Sequence, residues 1–132
     1  MTIREGQPRD VRIIHSLINQ GVQEGHLVER SKHDIRKNIH DFVVDDTPQG
    51  ITGCASFTPY TPRIGEVRSL YVHPLHRGEG IAGRLIEAAT EKAQDRVKLV
   101  FAVTENIMLF ERSGYKPVEV DGLEKGMVVK KA

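Results

Sequence analysis

Apolar residues recur along this chain in two rhythms, and the switches between them mark its elements. Val11, Ile14, Leu17, Ile18 and Val22 fall three and four apart, the spacing of one helix face. Pro8-Arg9-Asp10 supplies the start of that helix, with proline in its first turn, and Gly21, Gly25 and His26 end it. Ser31 stands three residues before Asp34, a capping-box pattern that predicts a second helix with Ile35, Ile39 and Phe42 as its stripe. Residues 2–5 read as a short strand, and Phe42-Val43-Val44 as the next one. Thr47-Pro48-Gln49-Gly50 predicts a turn, residues 51–58 a strand, Pro59 to Arg63 a loop, and residues 64–73 a long strand rich in β-branched and aromatic residues. Ile81, Leu85, Ile86, Ala89 and Ala93 place a helix over residues 80–93. Residues 97–104 read as a mostly buried strand, and residues 106–113 as a short helix closed by Gly114. Two further strands, near 116–121 and 126–130, turn around Asp121-Gly122.

The resulting order is β-α-α-β-β-β-α-β-α-β-β, an α/β (α+β) domain with one strand–helix–strand crossover between residues 66 and 104. At 132 residues the chain suits one domain spanning 1–132, large enough to bury its own core. Hydrophobic residues at 39% and charged residues at 28% argue against disorder. A net charge of +1 with no run of one sign gives no footing for a nucleic-acid or membrane-surface partner. No stretch reaches the roughly 20 apolar residues of a membrane span, and no apolar leader opens the sequence, so a cytoplasmic location is expected. The single cysteine, Cys54, excludes an intrachain disulfide and reads as a small core residue. His73 and His76 stand three apart without a third ligand, so no metal site is expected.

One segment carries chemistry. A strand ends at Pro74, a tight turn holds Gly78 and Gly80, and a helix opens directly behind it. The first amides of a helix lack internal acceptors and sit at the positive end of its dipole. Glycines let the chain curl so that those amides converge, and Ala82 and Gly83 keep the first turn uncrowded. The segment is thus an anion nest suited to a pyrophosphate. It is not a Walker loop, because the Gly-Lys-Ser/Thr ending is absent.

Arg77-Gly78-Glu79-Gly80-Ile81-Ala82 resembles the acetyl-CoA signature of the GNAT superfamily, Arg/Gln-x-x-Gly-x-Gly/Ala. Leu70, Val72 and Pro74 match the Leu-x-Val-x-Pro run upstream of it. Asn106 after the next strand and Phe110-Glu111-Arg112-Ser113-Gly114-Tyr115 are similar to the family's final helix. The resemblance implies a GNAT fold, with a mixed sheet of six to seven strands flanked by about four helices, and an enzyme that uses acetyl-CoA without a metal. Within the superfamily, Gly25-His26-Leu27-Val28-Glu29-Arg30-Ser31 and Ile64-Gly65-Glu66 look like the acetyltransferase domain of bacterial N-acetylglutamate synthase. The chain lacks the kinase-like domain of the larger synthases and resembles a stand-alone short form. Gly122-Leu123-Glu124-Lys125 departs from the family's final loop.

The resemblance implies that the pantetheine arm pairs near Leu70, Tyr71 and Val72, and that the pyrophosphate rests on amides of Arg77, Gly78, Glu79, Gly80, Ile81, Ala82 and Gly83, with Asn106 close by. Glu66 is the candidate base for an amine that is mostly protonated at neutral pH. The tyrosine many relatives use to protonate the thiolate is replaced here by Phe110, which leaves Thr104 or a water. An acceptor with two carboxylates calls for fixed cations. Arg30 with Ser31 is expected to meet the α-carboxylate; Arg63, Arg68, Lys125 and Lys130 are candidates for the other. The expected reaction is acetyl transfer to the α-amine of L-glutamate, the first step of arginine biosynthesis. The alternatives are another small amine or protein amine as acceptor, or a CoA-binding sensor without turnover. Exposed terminal strands offer an edge for a homodimer.

Overall fold

The computed structural model describes residues 2–132 and follows the expected order of elements. β1 (Ile3–Glu5) leads through a 3-10 turn at Pro8–Asp10 into α1 (Val11–Gln23). α2 (Lys32–Lys37) is shorter than its apolar stripe predicted. Its continuation, Ile39–Asp41, is a 3-10 turn, and Phe42 already opens β2 (Phe42–Thr47). β3 (Gly50–Pro59) and β4 (Ile64–Val72) form a hairpin. α3 (Ile81–Glu91), β5 (Leu99–Thr104), α4 (Ile107–Glu111), β6 (Lys116–Val118) and β7 (Gly126–Lys131) complete the chain. β6 stops three residues short of the expected 121.

Seven strands make one sheet in the order β1-β2-β3-β4-β5-β7-β6. β4 and β5 run parallel, as a helical crossover through α3 requires; the other neighbours are antiparallel. Strand alternation sends side chains to opposite faces. Val43, Ala55, Phe57, Val100, Ala102 and Val128 pack with Leu85, Ile86 and Ala89 of α3. Phe42, Val44 and Cys54 pack with Ile14, Leu17 and Ile18 of α1 and Ile35 of α2.

β4 breaks this alternation. Cys54 opposes Tyr71, yet Ser56 opposes Arg68, so β4 carries one extra residue between them. Ser69 sits there with φ 58, the left-handed region seldom taken by residues other than glycine. The parity of the strand changes across it. Val67, Leu70 and Val72 belong to the α3 face, whereas Tyr71 belongs to the α1 face. A bulge bends and twists its strand, and β4 has already parted from β5 when it reaches this one. Their ladder consists of Ile64↔Leu99, Gly65↔Val100 and Glu66↔Phe101, while β5 continues to pair with β7 as far as Thr104↔Gly126.

Gly65 lies inside this short ladder, where an added Cβ would come within 2.4 Å of Phe57 Cζ and 2.9 Å of the Thr58 carbonyl oxygen. Phe57 is fully buried, so its ring has little room to yield. Gly65→Ala is expected to lower unfolding free energy by about 1–3 kcal/mol in a urea titration. An unchanged midpoint and slope would show that the hairpin absorbs the methyl group.

Candidate active site

The divergence of β4 from β5 opens a groove of about 950 Å³ through the middle of the sheet. At one end lies the glycine turn. After β4, Pro74–His76 forms a 3-10 turn in which His73 Nδ1 accepts from the Leu75 amide at 3.1 Å. Gly78 (φ 85) and Gly80 (φ 78) both take left-handed conformations. A Cβ on Gly78 would meet nothing within 4 Å, and one on Gly80 only the Arg84 guanidinium. Their requirement is therefore backbone direction, and the space above them is free for a ligand. No side chain caps α3, so its opening amides, from Ile81, Ala82 and Gly83, face the groove without a side-chain acceptor. Arg77 ties the turn down instead of reaching outward. Its Nε donates to the Val72 carbonyl at 2.9 Å, its Nη2 to Glu24 at 3.3 Å, and its guanidinium lies 5.2 Å from the Tyr71 ring centre. Glu79 is not part of the lining; its carboxylate points toward His76 at 3.9 Å.

Along the middle of the groove run Leu70, Tyr71 and Val72, whose β5-facing backbone has no ladder partner. The Tyr71 ring is buried and its hydroxyl donates to Glu24 at 2.5 Å; burial, then that bond, raise its pKa. Thr104 and Asn106 form the facing wall. The Thr104 hydroxyl oxygen accepts from the Asn106 amide at 2.9 Å, and Asn106 caps α4 by accepting from Leu109 N at 3.2 Å. Phe110 is buried edge-on to Tyr115, with ring centres 5.3 Å apart. The Tyr115 hydroxyl lies 2.6 Å from Thr90 Oγ1, outside the lining, and burial pushes its pKa to about 12. It is a packing residue.

The other end of the groove is charged. Glu66 and Arg68 project into it from β4, and Lys125 of the β6–β7 loop lines the groove beside Glu105. Tyr60 donates its hydroxyl to Glu66 Oε1 at 2.6 Å, and burial followed by the neighbouring carboxylate raises the Tyr60 pKa. Tyr60 was not singled out from the sequence. The one available signal was its place in a short loop between two strands, which sets residue 60 beside residue 66 once Thr58 pairs with Glu66. No ion pair involves Arg68 among the described residues. His26 Nδ1 lies 3.2 Å from Glu105, which also has Lys125 at 3.5 Å, so the α1–α2 loop touches both neighbouring loops across this end. These contacts, that from His26 first, lower the Glu105 pKa.

Arg30, Ser31 and Arg63, expected at the acceptor's carboxylates, are placed off the groove lining. Arg30 is buried at 4% exposure and donates to Asp34 at 2.7 Å, Ser56 at 2.9 Å and Ser69 at 3.2 Å, with its guanidinium 4.7 Å from the Phe42 ring centre. A guanidinium so committed has little left for a ligand. The Ser31 hydroxyl is spent capping α2 by accepting from Asp34 N at 3.0 Å. Arg63 is exposed at the β3–β4 turn, where its carbonyl accepts from Leu99 N. Lys130, a weaker candidate, donates to the Ser113 carbonyl and lies outside the lining.

Among the described residues there is no group of three or more His, Cys, Asp or Glu able to hold a metal ion, and no helix long and apolar enough to cross a membrane.

The family described as acetyltransferase (GNAT) domain matches residues 37–117. A protein of Chlorobaculum tepidum named as an uncharacterized N-acetyltransferase is 33% identical over 118 residues, which cover 89% of this chain and 76% of that protein. The amino-acid acetyltransferase of Edwardsiella ictaluri is 31% identical over 92% of this chain, but the match spans only 28% of its length. Among solved structures, N-acetylglutamate synthase from Neisseria gonorrhoeae, complexed with coenzyme A and N-acetyl-glutamate, superposes with a TM-score of 0.86 at 22% identity. That alignment takes in 98% of this chain and 34% of the synthase, and shows a shared fold.

Cys54, beneath the bulge, is fully buried, donates to the Ser69 carbonyl at 3.4 Å, and has its pKa pushed up to about 12 by desolvation. It is expected to resist aromatic disulfide reagents at pH 8 in the folded protein and to react at the rate of unfolding. Labelling at the rate of a free thiol would show that the α1 face opens readily.

Proposed function

This chain belongs to the acetyltransferase (GNAT) family and is an acetyl-CoA-dependent N-acetyltransferase, and we propose that its acceptor is the α-amine of L-glutamate, acetylated by direct attack in a ternary complex within the single domain 1–132. The observation that carries this reading is one continuous groove with an anion-seeking helix start at one end and, at the other, the Glu66 carboxylate with Arg68 on the same strand. Its chemistry fits the co-substrate. The opening above Gly78 and Gly80 suits a pyrophosphate on the α3 amides, and the β5-facing backbone along Leu70 to Val72, apart from the Val72 carbonyl that Arg77 holds, suits the amides of a pantetheine arm. When bound, acetyl-CoA supplies an activated acyl group.

This chain's own residues supply position and proton movement. Backbone N–H groups of β4 beyond the bulge are the donors available to a thioester carbonyl. Glu66 keeps Oε2 free, since Oε1 receives the Tyr60 hydroxyl, and takes a proton from the acceptor ammonium directly or through a water. Thr104 accepts from the Asn106 amide, which leaves its own O–H free to donate toward a leaving thiolate. Arg68 and Lys125 take over the carboxylate-binding role first expected of Arg30 and Arg63. Arg68 follows Glu66 on β4 and enters no ion pair among the described residues, whereas Lys125 lines the groove beside Glu105, 3.5 Å away. A dicarboxylate amino acid answers two separated cations better than a monocarboxylate or a diamine does. The names of the amino-acid acetyltransferase relative and the synthase structure support the same acceptor, and with it a cytoplasmic role in arginine biosynthesis. For a homodimer, the row Val103, Met127 and Val118 across β5, β7 and β6 offers a partly exposed apolar strip beside an edge strand.

The test is CoA release with glutamate, glutamine, aspartate and lysine as acceptors. Glutamate is expected to give the highest kcat/KM. Binding of acetyl-CoA without CoA release on any amine would replace the reading by a CoA-binding module. Glu66→Gln is expected to lower kcat by roughly 10²–10⁴-fold with little change in the KM for acetyl-CoA. Arg68→Ala is expected to raise the KM for glutamate about 10–100-fold, the loss of one charged hydrogen bond. Equal KM values in the variant and the parent would remove Arg68 from the acceptor site.

A further inference from the structure

The bulge in the groove-lining half of β4 is not self-sustaining. A non-glycine residue at φ 58 persists only where its surroundings impose that conformation, and Ser69 has no glycine's freedom to rest there. What imposes it lies beneath the groove, on the α1–α2 face of the sheet that also carries Ser56 and Arg68. One Nη1 of Arg30 donates both to Ser69 Oγ, on the bulge itself, and to Ser56 Oγ, on the strand opposite. Ser56 Oγ in turn donates to the Arg68 carbonyl at 3.1 Å, so both sides of the extra residue are gripped. Arg30 is held by Asp34 Oδ2 at 2.7 Å, and Asn38 donates to Asp34 Oδ1 at 2.9 Å.

This arrangement is a costly way to gain stability. A buried guanidinium loses its hydration, and replacing a buried ion pair by an apolar residue of similar size is often neutral or favourable. Asp34 is partly exposed, so water can replace Arg30 around it. The charge is better explained by what it holds than by what it adds to folding. We propose that Arg30 is a positioning residue for acyl transfer: buried beside the groove on the α1–α2 face, it locks the Ser69 bulge and so fixes the direction in which the far half of β4 presents its backbone N–H groups. This rests on the transferase reading of the groove. It differs from a carboxylate-binding role in one measurable respect, because a residue that aims the acyl site acts on kcat, whereas one that holds the acceptor acts on its KM.

Four proteins decide the matter: the parent, Arg30→Met, Arg30→Lys, and Arg30→Met combined with Ser69→Gly. Arg30→Met is expected to lower kcat about 10–100-fold, as a small misplacement of the reacting groups does, with both KM values within about threefold of the parent. Arg30→Lys should recover part of the loss. The decisive variant is the double one. Glycine takes φ near 58 without a clamp, so it should restore at least threefold of the lost kcat. A double variant no faster than Arg30→Met, or a loss carried by the acceptor KM, would overturn the proposal. If Arg30→Met does not fold, Ser56→Ala with Ser69→Ala removes both clamp hydrogen bonds and leaves the Arg30–Asp34 pair in place; parent-like kcat there would overturn it equally. Amide hydrogen exchange over residues 67–72 reads the bulge independently of turnover. Faster exchange in Arg30→Met, at an unchanged rate elsewhere, is expected even if the parent acetylates no amine, and would separate failure of the transferase reading from failure of the clamp. Unchanged exchange would refute the clamp in an active enzyme.

Discussion

Hydrogen bonding between β4 and β5 ends after three residue pairs, and the chemistry of this protein depends on that ending. A parallel pair that continued would bury every N–H and C=O of both strands in a ladder. Here the far half of β4 keeps its β5-facing groups free, in the middle of a sheet whose two faces are covered by helices. Unpaired backbone in such a place is tolerated where a ligand or water can satisfy it. The groove is thus a consequence of incomplete sheet formation, and the residues beside it were selected by where the sheet fails.

The failure is local and built in. One extra residue in β4 changes the parity of the strand, so that Val67 and Val72 stay on the α3 face while Tyr71 turns to the α1 face. Up to the bulge, Glu66 and Arg68 project their charged side chains into the groove. Beyond it, the strand shows its edge to the groove and its side chains to the two cores. One strand therefore carries both a side-chain site and a backbone site, separated by a change of parity.

Charge is divided in the same manner. The glycine turn and the uncapped start of α3 offer positive potential without a free cationic side chain, because Arg77 is occupied with Val72, Glu24 and Tyr71. Elsewhere the groove uses formal charges, Glu66 with Arg68 on β4 and Glu105 with Lys125. Backbone dipoles suit a large ligand that lies along the strand; side-chain charges suit a small one that must be told from its neighbours by its carboxylates.

Much of this was legible in the residue pattern. The order of elements, the crossover through α3 and the glycine turn follow from spacing that acts over four or five residues, and local spacing is what a linear pattern records. Ser31 as a helix cap and Cys54 as a core residue belong to the same class. The roles of the cations did not follow. Arg30, Arg63 and Arg68 are alike as letters, and Arg30 stood beside the more persuasive motif. Their fates were set by contacts at separations of 26 and 39 positions, Arg30 with Ser56 and Ser69, which bury one guanidinium behind the bulge and leave Arg68 in the groove. The bulge itself leaves no mark in the sequence, since serine has no preference for φ 58. Sequence alone determined which segments form and where an anion is welcomed; tertiary structure decided which charges face the ligand, because burial and strand parity are properties of pairs of segments and not of either one.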